Sequence, residues 1–135
     1  MLISPKSSGS IVGTKTRNVF FVLLGVAVLI LKRRYSGPFQ EAVVSYAGNV
    51  GVSFAVYFII LHLPFHVGAR RLLTAASALV VVELFEAFDG FGVMTNVYDP
   101  VDFVANAVGV ALALAVDTAL SQRSGTAGDT EQLKP

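Results

Sequence analysis

Four apolar segments separated by short polar stretches dominate the pattern of hydrophobic and polar positions along the chain. They cover about residues 18–34, 42–63, 71–88 and 100–120. A helix needs roughly 20 apolar residues to cross the hydrocarbon core of a bilayer, and the second and fourth segments have that length. The first is shorter and spans only if Lys32 and Arg33 extend their charged groups to the interface. The pattern predicts an all-α fold, an integral membrane bundle of four transmembrane helices.

The segments that flank this bundle are polar. Residues 1–17 are rich in Ser, Gly, Lys and Thr and predict a flexible basic N-terminal arm. Residues 121–135 lack hydrophobic periodicity and predict a disordered C-terminal tail. We therefore expect a transmembrane domain at 18–120, with one polar segment at each end.

Composition supports a lipid environment. The chain is 54% hydrophobic and only 14% charged, with a mean hydropathy of +0.68, whereas soluble domains usually carry about 25% charged residues. The net charge of +1 offers no basic face for nucleic acid. With no cysteine, disulfides, thiolate metal sites and cysteine nucleophiles are excluded. We expect membrane lipids as partners and no nucleic acid.

The distribution of Lys and Arg predicts the orientation. With four spans, one side of the membrane receives seven basic residues and the other receives three, all within Lys32–Arg34. Cytoplasmic loops carry the excess of Lys and Arg. The sequence therefore predicts a multi-pass protein of the cell membrane with both termini in the cytoplasm.

Polar side chains share one face on each of the last two segments. Glu83 and Glu86 are three residues apart, and polar or small residues on the fourth segment recur at steps of three and four. Acids facing lipid are costly, so both faces should point into the bundle. Because the two segments run in opposite directions, these groups should meet at their outer end. The residues expected there are Glu83, Glu86, Asp89, Asp99, Asp102 and Asn106.

Three interpretations of this cluster stay open. In the first it is a structural network, in which Asp99 caps the fourth helix before Pro100 and Asn106 ties two helices together. In the second it binds a cationic group or a divalent cation, since clustered carboxylates suit hard cations. In the third it performs acid–base catalysis. No histidine, serine or lysine is placed to complete a familiar catalytic set, so we do not favour an enzyme.

Small residues form a stripe on two of the segments, where they allow a neighbouring helix to approach closely. We interpret both stripes as helix-packing surfaces; on a structural subunit they would instead dock onto another membrane protein. The stripes are Ala47, Gly51 and Ala55, and Ala105, Gly109 and Ala113.

One pair of histidines has a spacing found in zinc sites. His62 and His66 lie four apart, with Pro64 between them. Zinc needs three or four ligands, so this pair is incomplete and no metal site is predicted from it.

The stretch Glu83-Leu84-Phe85-Glu86, followed by Asp99, Asp102, Asn106 and Gly109, resembles the VanZ-like family of small membrane proteins. That family has Glu-x-x-Gln on the penultimate helix and an acidic pair followed by Asn and Gly on the last. Two features depart from it: Glu86 stands where glutamine is usual, and Thr95 and Asn96 occupy the region where the family has an arginine. The resemblance covers roughly residues 80–117.

The resemblance implies a protein of the cell envelope, since members are linked to reduced susceptibility to teicoplanin-type antibiotics. We expect a binding or accessory role at the outer face, through an acidic pocket that takes an envelope lipid or a lipid-linked ligand. The alternatives are a membrane enzyme acting on a lipid headgroup by carboxylate acid–base chemistry, and a structural subunit of a larger membrane complex.

Overall fold

The computed structural model describes residues 9–63, 68–88 and 99–131, and these residues form helices joined by short turns. We label the helices α1 (Gly9–Leu31), α2 (Gln40–Ile60), α3 (Arg70–Ala87) and α4 (Pro100–Glu131). A short 3₁₀ turn, Lys32–Arg34, continues α1. Within the described ranges there is no strand, so the expected all-α architecture is confirmed.

Three of the helices are long and apolar enough to cross a membrane. The spans are Gly13–Arg34, Gln40–Ile60 and Pro100–Arg123. α3 has 18 residues but carries a pair of arginines at its start and a pair of glutamates near its end, and it does not meet the same measure. The chain is therefore a membrane protein with three candidate spans in its described part, and the fourth span stays a prediction.

The helices extend further than the apolar pattern. α1 begins at Gly9, inside the segment expected to be a flexible arm, and α4 continues to Glu131 although the sequence predicted a helix end near residue 120. Polar contacts support the extra turns. The Ser121 hydroxyl donates to the Asp117 carbonyl at 2.8 Å, and Arg17 at the start of the apolar part of α1 reaches the Asp117 side chain.

α2 occupies the centre of the bundle. It packs against α1, α3 and α4, and α3 also packs against α4, whereas the backbones of α1 and α3 do not meet in the described residues. The core surrounds Tyr57 and Phe58, both fully buried, with Ala78 and Val110 against them. Phe21 of α1 stacks on Phe58 with ring centroids 4.8 Å apart. Because the described backbones of α1 and α3 do not meet, a groove is left between them.

The small-residue stripes lie inside this bundle. A Cβ at Gly25 of α1 would clash with the carbonyl oxygen of Gly51 and would lie 2.9 Å from the Ala55 Cβ. A Cβ at Gly109 of α4 would clash with the Val50 carbonyl oxygen on α2. The stripe on α2 therefore packs against α1 of the same chain. This contact weakens the hypothesis of a subunit that docks through that stripe, because the surface is already used. The remaining stripe residues, Ala105 and Ala113, are buried, and Ala47 is half-buried.

Candidate functional site

The first turn of α4 is fixed by Asp99. Its Oδ1 accepts a hydrogen bond from the Val101 backbone N–H at 2.9 Å, as expected of a helix N-cap. Pro100 stands at the first helical position, where a missing N–H does no harm. The Tyr46 hydroxyl of α2 donates to Asp99 Oδ2 at 3.1 Å. Asp99 thus both caps α4 and ties it to α2.

Asp99→Ala is expected to lower the free energy of unfolding by about 1.6 kcal/mol, because it removes both the cap, worth about 1 kcal/mol, and the acceptor of the Tyr46 hydroxyl, worth about 0.6 kcal/mol. Tyr46→Phe removes only the bond to α2 and should cost about 0.6 kcal/mol, the average for such bonds between membrane helices. Asp99→Asn keeps a capping oxygen and should behave like Tyr46→Phe. Equilibrium unfolding in mixed detergent micelles measures the free energy of unfolding of the three variants. Equal losses for Asp99→Ala and Asp99→Asn would show that the cap contributes nothing.

Asp102 lies one turn further along α4 and is only 8% exposed. Its carboxyl group is hydrogen-bonded to Glu86 of α3 and to Asn49 of α2. Asp102 therefore brings polar groups of α2, α3 and α4 together.

The next polar layer is centred on Asn106, which is 4% exposed. The Ser53 hydroxyl of α2 donates to Asn106 Oδ1 at 2.7 Å, and Asn106 is also hydrogen-bonded to the carboxyl group of Glu83. Glu83 Oε2 is buried and has no hydrogen-bond partner among the described groups. The amide of Asn106 thus joins α2, α3 and α4, as the structural interpretation of the sequence expected.

A cavity of about 700 Å³ opens beside these residues, and we call it the Asp102 cavity. Three of the predicted site residues line it: Glu86, Asp102 and Asn106. Glu83 and Asp99 do not line it, although both are in the same network, and Asp89 lies outside the described residues. Its apolar walls come from all of α1, α2 and α3 and include Leu29, Val52, Val56, Val82 and Phe85.

The cavity also contains two basic residues that the sequence predicted at the membrane interface and did not assign to the acidic cluster. Lys32 and Arg33 line it at the end of α1. The Lys32 side chain crosses α2 over Gly48, where a Cβ would clash with Nζ, and its charge acts on Asp102. The acidic cluster therefore has a cationic neighbour within this chain. The sequence contained a signal for this contact, because the acidic cluster and the basic residues Lys32–Arg34 were both predicted at the outer end of the bundle.

A second charged cluster, at the opposite end, was not predicted. Asp117 of α4 has a side chain only 4% exposed, and its two carboxylate oxygens lie 3.1 Å from Arg17 Nη2 and 3.1 Å from Arg71 Nε. The Tyr57 hydroxyl donates to Oδ2 at 3.2 Å. Four helices meet at one carboxylate. The spacing of Asp117 could have indicated that it faces the bundle interior. Gly109, Ala113 and Asp117 continue the polar face of α4 in steps of four.

The described residues contain no group of three or more His, Cys, Asp or Glu side chains placed to hold a metal ion. His62 Nδ1 lies 2.8 Å from the Phe58 carbonyl oxygen, and His66 lies outside the described part of the chain.

Comparison with protein-family models, with curated proteins and with solved structures finds no match to this chain.

Proposed function

We propose that the chain is a cell-membrane protein with four spans that binds an amphiphilic envelope lipid in the Asp102 cavity, in a binding or accessory role similar to that expected of VanZ-like proteins. The observation that carries the proposal is the cavity itself, which combines apolar walls with both signs of charge at one end. Ligand sites are usually apolar clefts with a few convergent polar groups, and this cavity has that composition.

The contacts of α3 support its role as a fourth span. Its charged residues lie near its two ends, where a span meets the membrane surface. Arg71 pairs with Asp117 and Glu83 with Asn106, so two of these charged groups are partnered inside the bundle. Charges that face a bundle interior and are paired there are tolerated in membranes. With four spans, the excess of basic residues favours cytoplasmic termini, and the Asp102 cavity then faces the outer leaflet.

The shape of the cavity suits an acyl chain. It lies at the groove between α1 and α3, and two of its wall residues, Ile30 on α1 and Val81 on α3, are 66% and 49% exposed. An opening flanked by exposed apolar side chains lets a lipid enter sideways from the bilayer. The deeper wall, with Val52 and Val56, is apolar as well.

The charges of the cavity suit a zwitterionic headgroup such as phosphoethanolamine. Lys32 and Arg33 offer donors to a phosphate group, and Arg in particular matches phosphate geometry. Glu86 and Asp102 offer oxygens to an ammonium group. The acids alone suggested a purely cationic ligand. Such a ligand would be repelled by Lys32 and Arg33, which line the same cavity.

The test is the thermal stability of the detergent-purified chain titrated with phosphatidylethanolamine, compared with phosphatidylcholine, which has the same net charge but a trimethylammonium group that cannot donate hydrogen bonds. Phosphatidylethanolamine should raise the melting temperature more. Asp102→Asn and Lys32→Gln should each weaken its binding by about tenfold, the factor expected from losing one charge-assisted hydrogen bond.

The chain offers matched controls at the same end of the bundle. Glu41→Gln and Arg34→Gln remove exposed charges that do not line the cavity, and both should bind the lipid like the wild type. Equal loss in the control and cavity variants would overturn the proposal. Chemical conversion of the added lipid, abolished by Asp102→Asn, would instead indicate the alternative function, an enzyme acting on the headgroup.

A further inference from the structure

A separate pocket of about 470 Å³ lies at the end of the bundle opposite to the Asp102 cavity, and we call it the Asp117 pocket. It is formed where the first turns of the apolar part of α1, the start of α3 and the end of the apolar part of α4 converge. The charged residues that line it are Arg17, Arg70, Arg71 and Asp117.

The charges of this pocket do not balance. Three arginines and one aspartate line it, so the lining residues carry a formal charge of 3 − 1 = +2. Asp117 accepts from both Arg17 and Arg71 but can neutralise only one of them. Arg70 donates to the Leu61 backbone carbonyl at 2.6 Å, a neutral acceptor that leaves its charge uncompensated.

The backbone at the start of α3 adds to the positive electrostatic potential of the Asp117 pocket. α3 begins at Arg70, and Ala69 at its N-cap makes no side-chain capping bond. The N-terminus of a helix carries a partial positive charge and exposed N–H groups, and both favour an anion. Gly68, Ala69 and Leu72 line the pocket beside the arginines, so the uncapped turn and the guanidinium groups face the same space.

We propose that the Asp117 pocket binds a phosphate group, supplied by the headgroup of an anionic phospholipid. Guanidinium groups match phosphate oxygens in pairs of hydrogen bonds, and basic pockets between membrane helices bind anionic headgroups. The Arg71 side chain is 45% exposed and the Arg17 side chain 24% exposed, so both can reach a ligand while they contact Asp117. Inorganic phosphate or a soluble phosphate ester carries the same chemistry, and the experiment separates these sources.

The experiment measures the melting temperature of the full chain in neutral detergent, titrated with phosphatidylglycerol, with phosphatidylcholine and with inorganic phosphate. Each variant is compared with its own ligand-free baseline. Phosphatidylglycerol should stabilise the wild type, and Arg70→Gln and Arg71→Gln should each weaken its binding by about fivefold. Arg71→Lys keeps the charge and a partner for Asp117, so it serves if Arg71→Gln does not fold.

Arg123→Gln is the matched control, because Arg123 is an exposed arginine of α4 that does not line the pocket. It should bind phosphatidylglycerol like the wild type. If it weakens binding as much as Arg71→Gln does, the attraction belongs to the whole surface and the proposal is overturned. Stabilisation by inorganic phosphate that Arg71→Gln abolishes would support the phosphate site and assign it to a soluble ligand. These variants leave the Asp102 cavity intact, so this test and the test of the proposed function fail separately.

Discussion

Asp117→Asn is expected to lower the free energy of unfolding by about 3 kcal/mol. Removing one partner of a buried ion pair costs about 3–5 kcal/mol, because it leaves the other charge buried without compensation. The lower end applies here, since the side chains of Arg17 and Arg71 are 24% and 45% exposed and can partly regain water. Equilibrium unfolding in mixed detergent micelles measures the loss.

Two other variants separate the contributions that Tyr57 and Arg71 make to the stability of the Asp117 cluster. Tyr57→Phe removes one neutral donor and should cost about 1 kcal/mol. Arg71→Gln should fall between the two, because Asp117 keeps Arg17 and Tyr57 as partners. An Asp117→Asn variant no less stable than Tyr57→Phe would show that the carboxylate does not hold the four helices together.

Local patterns in the sequence were sufficient for the helices and for part of the candidate site. Apolar runs of the right length predicted the segments, and the Asp99-Pro100 pair predicted the cap that the Val101 N–H completes. The cost of exposing acids to lipid predicted that Asp102 and Asn106 face inward, and both are buried. Each of these predictions depends on neighbours within one or two helical turns or on a general property of lipid.

The contacts that were missed depend on how the helices cross. Arg17 and Asp117 are 100 positions apart in the chain. No periodicity in the sequence predicts that two such distant residues lie within hydrogen-bonding distance at the same end of the bundle. Lys32 was used only to predict the first span and the orientation, because its approach to the acids requires its side chain to lie over Gly48 of α2. A charge count along the sequence finds these residues, but only the packing of α1 on α2 makes them part of a site.

The close crossings at two glycines lead to the second large effect. Gly109→Ala is expected to lower the free energy of unfolding by up to about 2 kcal/mol, because overpacking costs about 1–3 kcal/mol and the higher helix propensity of alanine offsets about 1 kcal/mol of that loss. The new Cβ would clash with the Val50 carbonyl oxygen and lie 2.8 Å from the Ser53 Cβ, and neither atom is the end of a flexible chain. Gly25→Ala should act likewise at the crossing of α1 and α2.

Gly13→Ala provides the matched control, because a Cβ at Gly13 meets nothing within 4 Å. It brings the same gain in helix propensity and should leave stability unchanged or slightly raised. Thermal unfolding of the three variants separates packing from propensity. If Gly109→Ala and Gly13→Ala melted at the same temperature, α2 and α4 would not approach as closely as Val50 and Gly109 require. The polar contacts of Asn106 with Ser53, one turn away, would then lose their geometric basis as well.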